Sequence, residues 1–277
     1  MLSVWYRAVQ ARLYRRRVPP RVPFPSDRLT LIWTRDGQPL WSPKECVQDG
    51  KYYAESWEPY TISLFLESLR PGATVLDVGA HVGYYTLLAA RAVGRTGMVY
   101  ALEPGPAEAA LLLWNVRMNG HGHVRVVPQA AGDRVGSAQL CLSGVSSMHS
   151  LGRHELAGAW QGSTTVGMVT IDALLAGRSV DVVKMDVEGA EPLVLEGMQE
   201  TVRRSPGLTI FSEFSPQMYR ALSLDPEEFV ARLHDLGLEV SLVDEWERRL
   251  VPVPRGKALA TYDSLFLRGH LVCRREG

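Results

Sequence analysis

"VLDVGAHVGYYTLLAA", residues 75 to 90, decides the fold. Its first half is mostly apolar without clean alternation, as in a strand buried on both faces, and residues 83–90 suit a helix. A strand that turns through glycine into a helix receives its ligand at the strand's carboxyl end. Gly79 and Gly83 permit close approach to the backbone, and the helix start offers unpaired N–H groups. The dinucleotide fingerprint G-x-G-x-x-G nevertheless fails: counted from Gly79, its second glycine position is His81 and its third is Tyr84. No G-K-[ST] follows, which excludes a Walker A loop. Asp77 at the strand end would repel a pyrophosphate but attract an ammonium group, directly or through water. The turn therefore calls for a ligand that is cationic on one side.

Working outward, the alternation is regular from Pro71 and Gly72 onward: strand 74–80, helix 83–93, strand 98–103, helix 106–119 and strand 124–130. After a polar, glycine-bearing excursion come strand 180–187, helix 189–204, strand 208–214, helix 225–236 and apolar segments 238–243 and 264–268. These are βαβ units of an α/β fold with an open, mostly parallel, doubly wound sheet, its last pair a candidate for antiparallel pairing. The excursion "LSGVSSMHSLGRHELAGAWQGS" is a candidate lid over residues 143–165. The expected organisation is an N-terminal helical and extended cap over 1–70 and the α/β domain over 71–277.

A chain of 277 residues, 46% of them hydrophobic, can bury a full core. Thirty basic and thirty acidic side chains cancel, so no global field collects nucleic acid. Cys46, Cys141 and Cys273 are far apart and form no C-x-x-C pair, which argues against a disulfide framework or zinc cluster and suits a reducing cytoplasm. No apolar run approaches the roughly 20 residues that span a bilayer, so stable membrane insertion is not expected. The opening "MLSVWYRAVQARLYRRRVPP" has a helical apolar face opposite its arginines, more suited to docking on protein than on lipid. Trp5, Trp33, Trp41, Tyr52, Tyr53, Trp57 and Tyr60 crowd the N-terminal segment and read as core packing before acceptor stacking.

Three acids name the ligand. Glu103 ends the second strand, 26 residues after Asp77, where doubly wound nucleotide folds set an acid against the ribose hydroxyls. Asp133 follows the third strand, where a short acid can accept from an adenine amino group, although it also suits a turn beside Gly132. A ligand carrying an ammonium, a ribose and an aminopurine satisfies all three: S-adenosylmethionine has those parts. The fourth strand, "VDVVKMDVEGAEPLVLEGM", alternates Lys184, Asp186 and Glu188 with apolar neighbours, so the three charges share one side of it. Asp186 emerges at the switch point, whereas Glu191 and Glu188 are also explained as charges favouring a helix N-terminus.

Together "VLDVGAHVGYYTLLAA", "YALEPGP", "NVRMNG", "AAGD" and above all "VDVVKMDVEGAEPLVLEGM" resemble the FkbM-like family of S-adenosylmethionine-dependent methyltransferases over about residues 58 to 215. The resemblance implies a Rossmann-like class I methyltransferase core acting on hydroxyl groups of sugars and secondary metabolites. It implies that Asp77, Gly79, Ala80, Gly83, Tyr84, Glu103 and Asp133 hold the cofactor and that Asp186 lies near the transferred methyl. The excursion around His149 is longer than the family's usual segment.

Methyl transfer to an alcohol needs mainly alignment and exclusion of water, with a nearby base to take the proton. His149, Asp186 and Glu213 are the candidate bases, and Lys184 can set the ionisation of a neighbouring acid. Asp186 and Glu213 could share a divalent cation that lowers the hydroxyl's pKa, but two acids without a third obvious ligand are a weak signal, so a divalent metal is possible but not favoured. No [DN]-P-P-[FY] stretch or Pro-Cys pair points to a base acceptor, so oxygen is the preferred one. The competing readings are a nicotinamide-dependent oxidoreductase, disfavoured by His81 and Asp77, and a non-catalytic nucleotide-binding scaffold. The particular acceptor and the oligomeric state are not encoded in any motif.

Overall fold

The computed structural model describes residues 26–48, 58–152, 160–265 and 269–275. The basic N-terminal helix, most of the proline-rich stretch, Trp5, Tyr52, Tyr53, Trp57 and the middle of the excursion lie outside them. The chain enters through a hairpin, β1 (Leu29–Trp33) and β2 (Pro39–Pro43), then α1 (Lys44–Gln48) and α2 (Pro59–Glu67). The α/β alternation follows with β3 (Thr74–Val78), α3 (Tyr84–Val93), β4 (Met98–Leu102), α4 (Pro106–Met118) and β5 (Val124–Val127). Next, β6 (Ala130–Ala131), β7 (Gly136–Ser143) and β8 (Trp160–Val169) form a separate small sheet in the order β6–β8–β7. The alternation resumes with α5 (Ile171–Leu175), β9 (Val182–Met185), α6 (Glu191–Glu196), α7 (Gln199–Arg204) and β10 (Thr209–Phe214). The last elements are α8 (Pro216–Ala221), α9 (Pro226–Asp235), β11 (Glu239–Asp244), β12 (Arg249–Pro252), α10 (Ala258–Leu265) and β13 (Gly269–Arg274).

The main sheet has the order β5–β4–β3–β9–β10–β13–β11–β12, parallel from β5 to β10. β13 inserts antiparallel between β10 and β11. This is the α/β, Rossmann-like arrangement expected from the motifs. The direction of winding reverses between β3 and β9, which opens a crevice at their carboxyl ends.

Side-chain alternation explains why both faces are dry. In β3 and β9, Leu76, Val78, Val183 and Met185 join one apolar cluster with α6, α9 and Phe214. Val75 and Val182 join the other, with α3, Phe65 and Phe211. Each such burial contributes about 1.5–3 kcal/mol. Asp77 and Lys184 stand opposite each other in register, on the second of these faces. They interrupt an otherwise apolar layer just where the strands end.

Three expected elements differ. Strand 124–130 stops at Val127 because Pro128 has no N–H to donate, and Ala130–Ala131 pairs instead with β8. Helix 189–204 is two helices, broken at Gly197 and Met198. A Cβ on Gly197 would lie 2.0 Å from the Gly132 carbonyl oxygen, so the chain turns where two backbones touch. The apolar segment expected over 264–268 is described only as far as Leu265, where α10 ends, and the strand is Gly269–Arg274, whose Leu271 and Cys273 join the first core cluster. Among the described residues no helix is long and apolar enough to cross a membrane.

Candidate functional site

Two contiguous cavities open along the carboxyl ends of β3, β4, β9 and β10. The first, about 520 Å³ with the space open to solvent included, is lined by Leu102, Ala131 and Leu140 together with Glu103, Gln129 and the serines and His149 of the excursion. The second, about 720 Å³, is lined by Asp77, Tyr85, Lys184, Glu213 and His270. Gly79, His81, Ser147, Asp186 and Glu188 belong to both, so the turn after β3, the excursion and the end of β9 form the boundary between them.

In the first cavity Glu103 sits just past the end of β4. Its Oε2 accepts from the His81 N–H and its Oε1 from the Gly105 N–H, both at 2.8 Å. The carboxylate is thereby fixed on the cavity wall with lone pairs remaining for a ligand. Burial, reinforced by Glu108, pushes its pKa up to about 8 in the ligand-free protein. Asp77 is buried, accepts from the Thr86 hydroxyl and is pushed by burial to about 6. A carboxyl whose pKa is raised by folding costs stability as pH climbs from its ordinary value to the raised one. His270, held by burial and by Lys184 at about 4, acts in the opposite sense only below its ordinary value of 6.5. From about pH 6.5 to about pH 8 the ligand-free protein should therefore lose on the order of 2 kcal/mol, read as a falling melting temperature. A melting temperature that rises across that window would contradict the burial of Glu103.

The excursion is pinned across this cavity from three sides. Ser146 Oγ lies 3.1 Å from His81 Nε2, the Ser150 hydroxyl donates to the Glu188 carbonyl at 2.9 Å, and His149 Nε2 lies 3.6 Å from Glu108 Oε1. His149 Nδ1 also accepts from the Ser143 N–H at 3.1 Å. Both nitrogens of this expected base are thus engaged in holding the excursion. On Glu108, burial is outweighed by the hydrogen bond from His149 and the charges of His81 and His149, which hold its pKa low.

The second cavity concentrates buried charge. Lys184, 1% exposed, reaches Asp186 Oδ2 with Nζ at 2.9 Å and lies 5.0 Å from the centre of the Tyr85 ring. Burial disfavours its ammonium, but Asp186, Glu58 and Glu213 outweigh that and raise its pKa. Glu58 accepts from the Tyr85 hydroxyl at 3.0 Å and stands 3.2 Å from His270 Nε2; burial pushes it to about 7 despite Lys184. Glu213 is driven well above the carboxylate range by burial and then by Glu188, Asp186 and Glu191. Glu191 turns away: its oxygens accept from the Val187 and Gly189 N–H groups at the start of α6, the helix-end role weighed for it.

The cleft therefore gathers Asp77, Gly79, Ala80, Tyr84, Glu103, Lys184, Asp186 and Glu213. Asp133 is not brought to it: the carboxylate pairs with Arg134 at 3.0 Å and faces a separate groove beside Leu193 and Phe229. β5 ends early, at Val127, and Gln129 stands at the cavity wall. Gly83 caps α3 and lines neither cavity. Sequence reasoning missed Gln129, Glu58 and His270. No spacing links Glu58 or His270 to the motifs, since one precedes a helix and the other lies on the strand inserted out of order.

Residues 77–246 match the family model described as the methyltransferase FkbM domain. That is more than half of the chain, which belongs to this family of S-adenosylmethionine-dependent methyltransferases. Solved structures of similar fold include a methyltransferase FkbM from Methylobacillus flagellatus, 13% identical with a TM-score of 0.42, covering 76% of this chain and 50% of that one. An S-adenosylmethionine-dependent O-methyltransferase from Thermotoga maritima is 16% identical over 90% of this chain and 78% of that one, with a TM-score of 0.47. An O-methyltransferase from Bacillus cereus, solved with S-adenosylhomocysteine, is 12% identical over 84% and 90%, with a TM-score of 0.45. No curated protein sequence matches the chain.

Proposed function

We propose that the protein is an O-methyltransferase that moves a methyl group from S-adenosylmethionine to a hydroxyl of a small polar molecule, a sugar or natural-product intermediate. The observation that carries this reading is the position of Asp186, on the boundary between a cavity bearing a ribose-type acid and a second cavity lined by Asp77, Lys184, Glu213 and His270. The donor set fits the cofactor. Glu103 offers fixed acceptor oxygens for ribose hydroxyls, and Asp77 with the Gly79, Ala80 and Tyr84 turn offers a carboxylate and close backbone for the amino-acid end. Leu102, Ala131 and Leu140 with Gln129 offer an apolar slot with one amide for the purine. When bound, the cofactor supplies a methyl already activated on a sulfonium.

The residues of the chain then have little covalent work. The excursion, tied down through Ser146, His149 and Ser150, excludes water from the boundary, and the chamber aligns the hydroxyl. Asp186 takes the hydroxyl proton at its carboxylate, held in place by Lys184. The polar lining of Glu58, Lys184, Glu213 and His270 favours an acceptor rich in hydrogen-bonding groups over an apolar one.

The direct test is mass spectrometry after incubation with methyl-deuterated S-adenosylmethionine and a metabolite extract; a labelled sugar or metabolite is expected, and label found only on nucleobases or protein nitrogen would reject the reading. Two variants divide the roles. Glu103→Ala should weaken cofactor binding by roughly 1–3 kcal/mol, since charge-assisted hydrogen bonds are lost. Asp186→Asn should lower turnover much more than cofactor affinity. Calorimetric affinity and single-turnover rate, measured side by side, check both; equal falls in the two quantities for Asp186→Asn would remove it as the base.

A further inference from the structure

Beside Asp186 the structure supplies what the sequence withheld, a third acid. Glu188 follows two residues later, and Glu213 comes from the end of the neighbouring strand β10. Their nearest carboxylate oxygens and that of Asp186 all lie within 4.8 Å of one another. Oxygens sharing one divalent ion lie at most about 4–5 Å apart, so the three stand close enough to converge on one ion with a small side-chain adjustment. A second observation points to a ligand there. Glu213 is 5% exposed, lines the second cavity, and its Oε2 is fully buried without a hydrogen-bond partner among the described residues. A buried carboxylate oxygen left so costs more than the bond it lacks.

We infer that Asp186, Glu188 and Glu213 form a binding site for one hard divalent cation of the Mg²⁺ or Mn²⁺ class, at the boundary of the two cavities. Three carboxylate oxygens leave coordination positions for water or for oxygens of the acceptor. The site stands independently of the methyl-transfer reading. Its use rests on that reading: an acceptor hydroxyl ligated there is both oriented and made more acidic, and the proton still leaves to Asp186 or to water.

The test uses the full chain, stripped with chelator and free of cofactor, titrated with Mn²⁺ and followed by the electron paramagnetic resonance of the free ion. One Mn²⁺ per chain is expected, displaced by Mg²⁺. Glu213→Gln and, separately, Glu188→Gln should each weaken it at least about tenfold, with Glu228→Gln on α9 as an unaffected control. Circular dichroism melts identify a variant that does not fold, in which case the other carries the comparison. No saturable Mn²⁺ binding at millimolar concentration, or equally tight binding by both variants, overturns the site. Binding of Mn²⁺ without any transfer of labelled methyl leaves the site standing and counts against the methyltransferase mechanism; labelled product formed in excess chelator by protein that binds no Mn²⁺ does the reverse.

Discussion

Gly79→Ala is expected to unfold the protein at ordinary temperatures or to leave it without a working site. Gly79 has a φ of +83°, where an L side chain is strained, and a Cβ built on it would lie 1.8 Å from the Asp186 carbonyl oxygen and 2.7 Å from its carbonyl carbon. Neither atom can yield cheaply. The Asp186 N–H donates to the Val78 carbonyl at 2.9 Å, while the Gly79 and Ala80 N–H groups both donate to the Leu102 carbonyl, at 3.0 and 2.9 Å. The ends of three central strands are thus bolted together around the missing Cβ. Left-handed strain alone costs about 1–2 kcal/mol; displacing packed backbone adds to that, and a total above about 4 kcal/mol places the substitution among the severe ones. Gly120→Ala separates the two contributions. Gly120 has a φ of +74° with open space around it, so its substitution should cost only the strain. Urea denaturation of the two variants gives the comparison, and equal losses would mean that contact with Asp186 is not what requires glycine at position 79.

That contact also shows which parts of the molecule were legible in sequence. The β3 turn, Glu103 at the end of β4 and Asp186 at the end of β9 were readable because strand, glycine and acid recur at short spacing, and parallel strand ends converge by topology. Asp133 closes "AAGD", which reads as a strand end, whereas Pro128 ends β5 earlier and Gln129 stands at the cavity wall. His149 has the right chemistry for a base, but its partners, Ser143 and Glu108, are set by how the excursion folds back over α4. Glu58 and His270 could not be found at all: 212 positions apart, they meet only because β13 inserts between β10 and β11. Local pattern carries the sheet and the glycine turn after β3; the far wall of the chamber is written in long-range packing.

The largest electrostatic consequence falls on Lys184. It is the buried cation among Asp77, Asp186, Glu58 and Glu213, and Met can replace its length and much of its volume but not its charge. Lys184→Met should cost about 3–5 kcal/mol at neutral pH, the range seen when one partner of a buried ion pair is removed. The packing lost is small, since only the ammonium and one methylene's worth of reach differ. The penalty is instead the repulsion among carboxylates that the ammonium had offset, so it must shrink as those groups take up protons. Chemical denaturation at about pH 5.5 and about pH 8 should therefore show a smaller loss at the lower pH, by roughly 1 kcal/mol or more. The same loss at both would make Lys184 a space-filling residue, and a loss below about 1 kcal/mol would mean that the acids are already neutral without it. Asp186→Asn combined with Lys184→Met tests the pairing itself: with the 2.9 Å partner gone, much of the lysine's contribution should vanish, giving a coupling of about 1 kcal/mol or more between the two sites. A chamber that needs a cation to hold its acids together is suited to a ligand that brings positive charge with it.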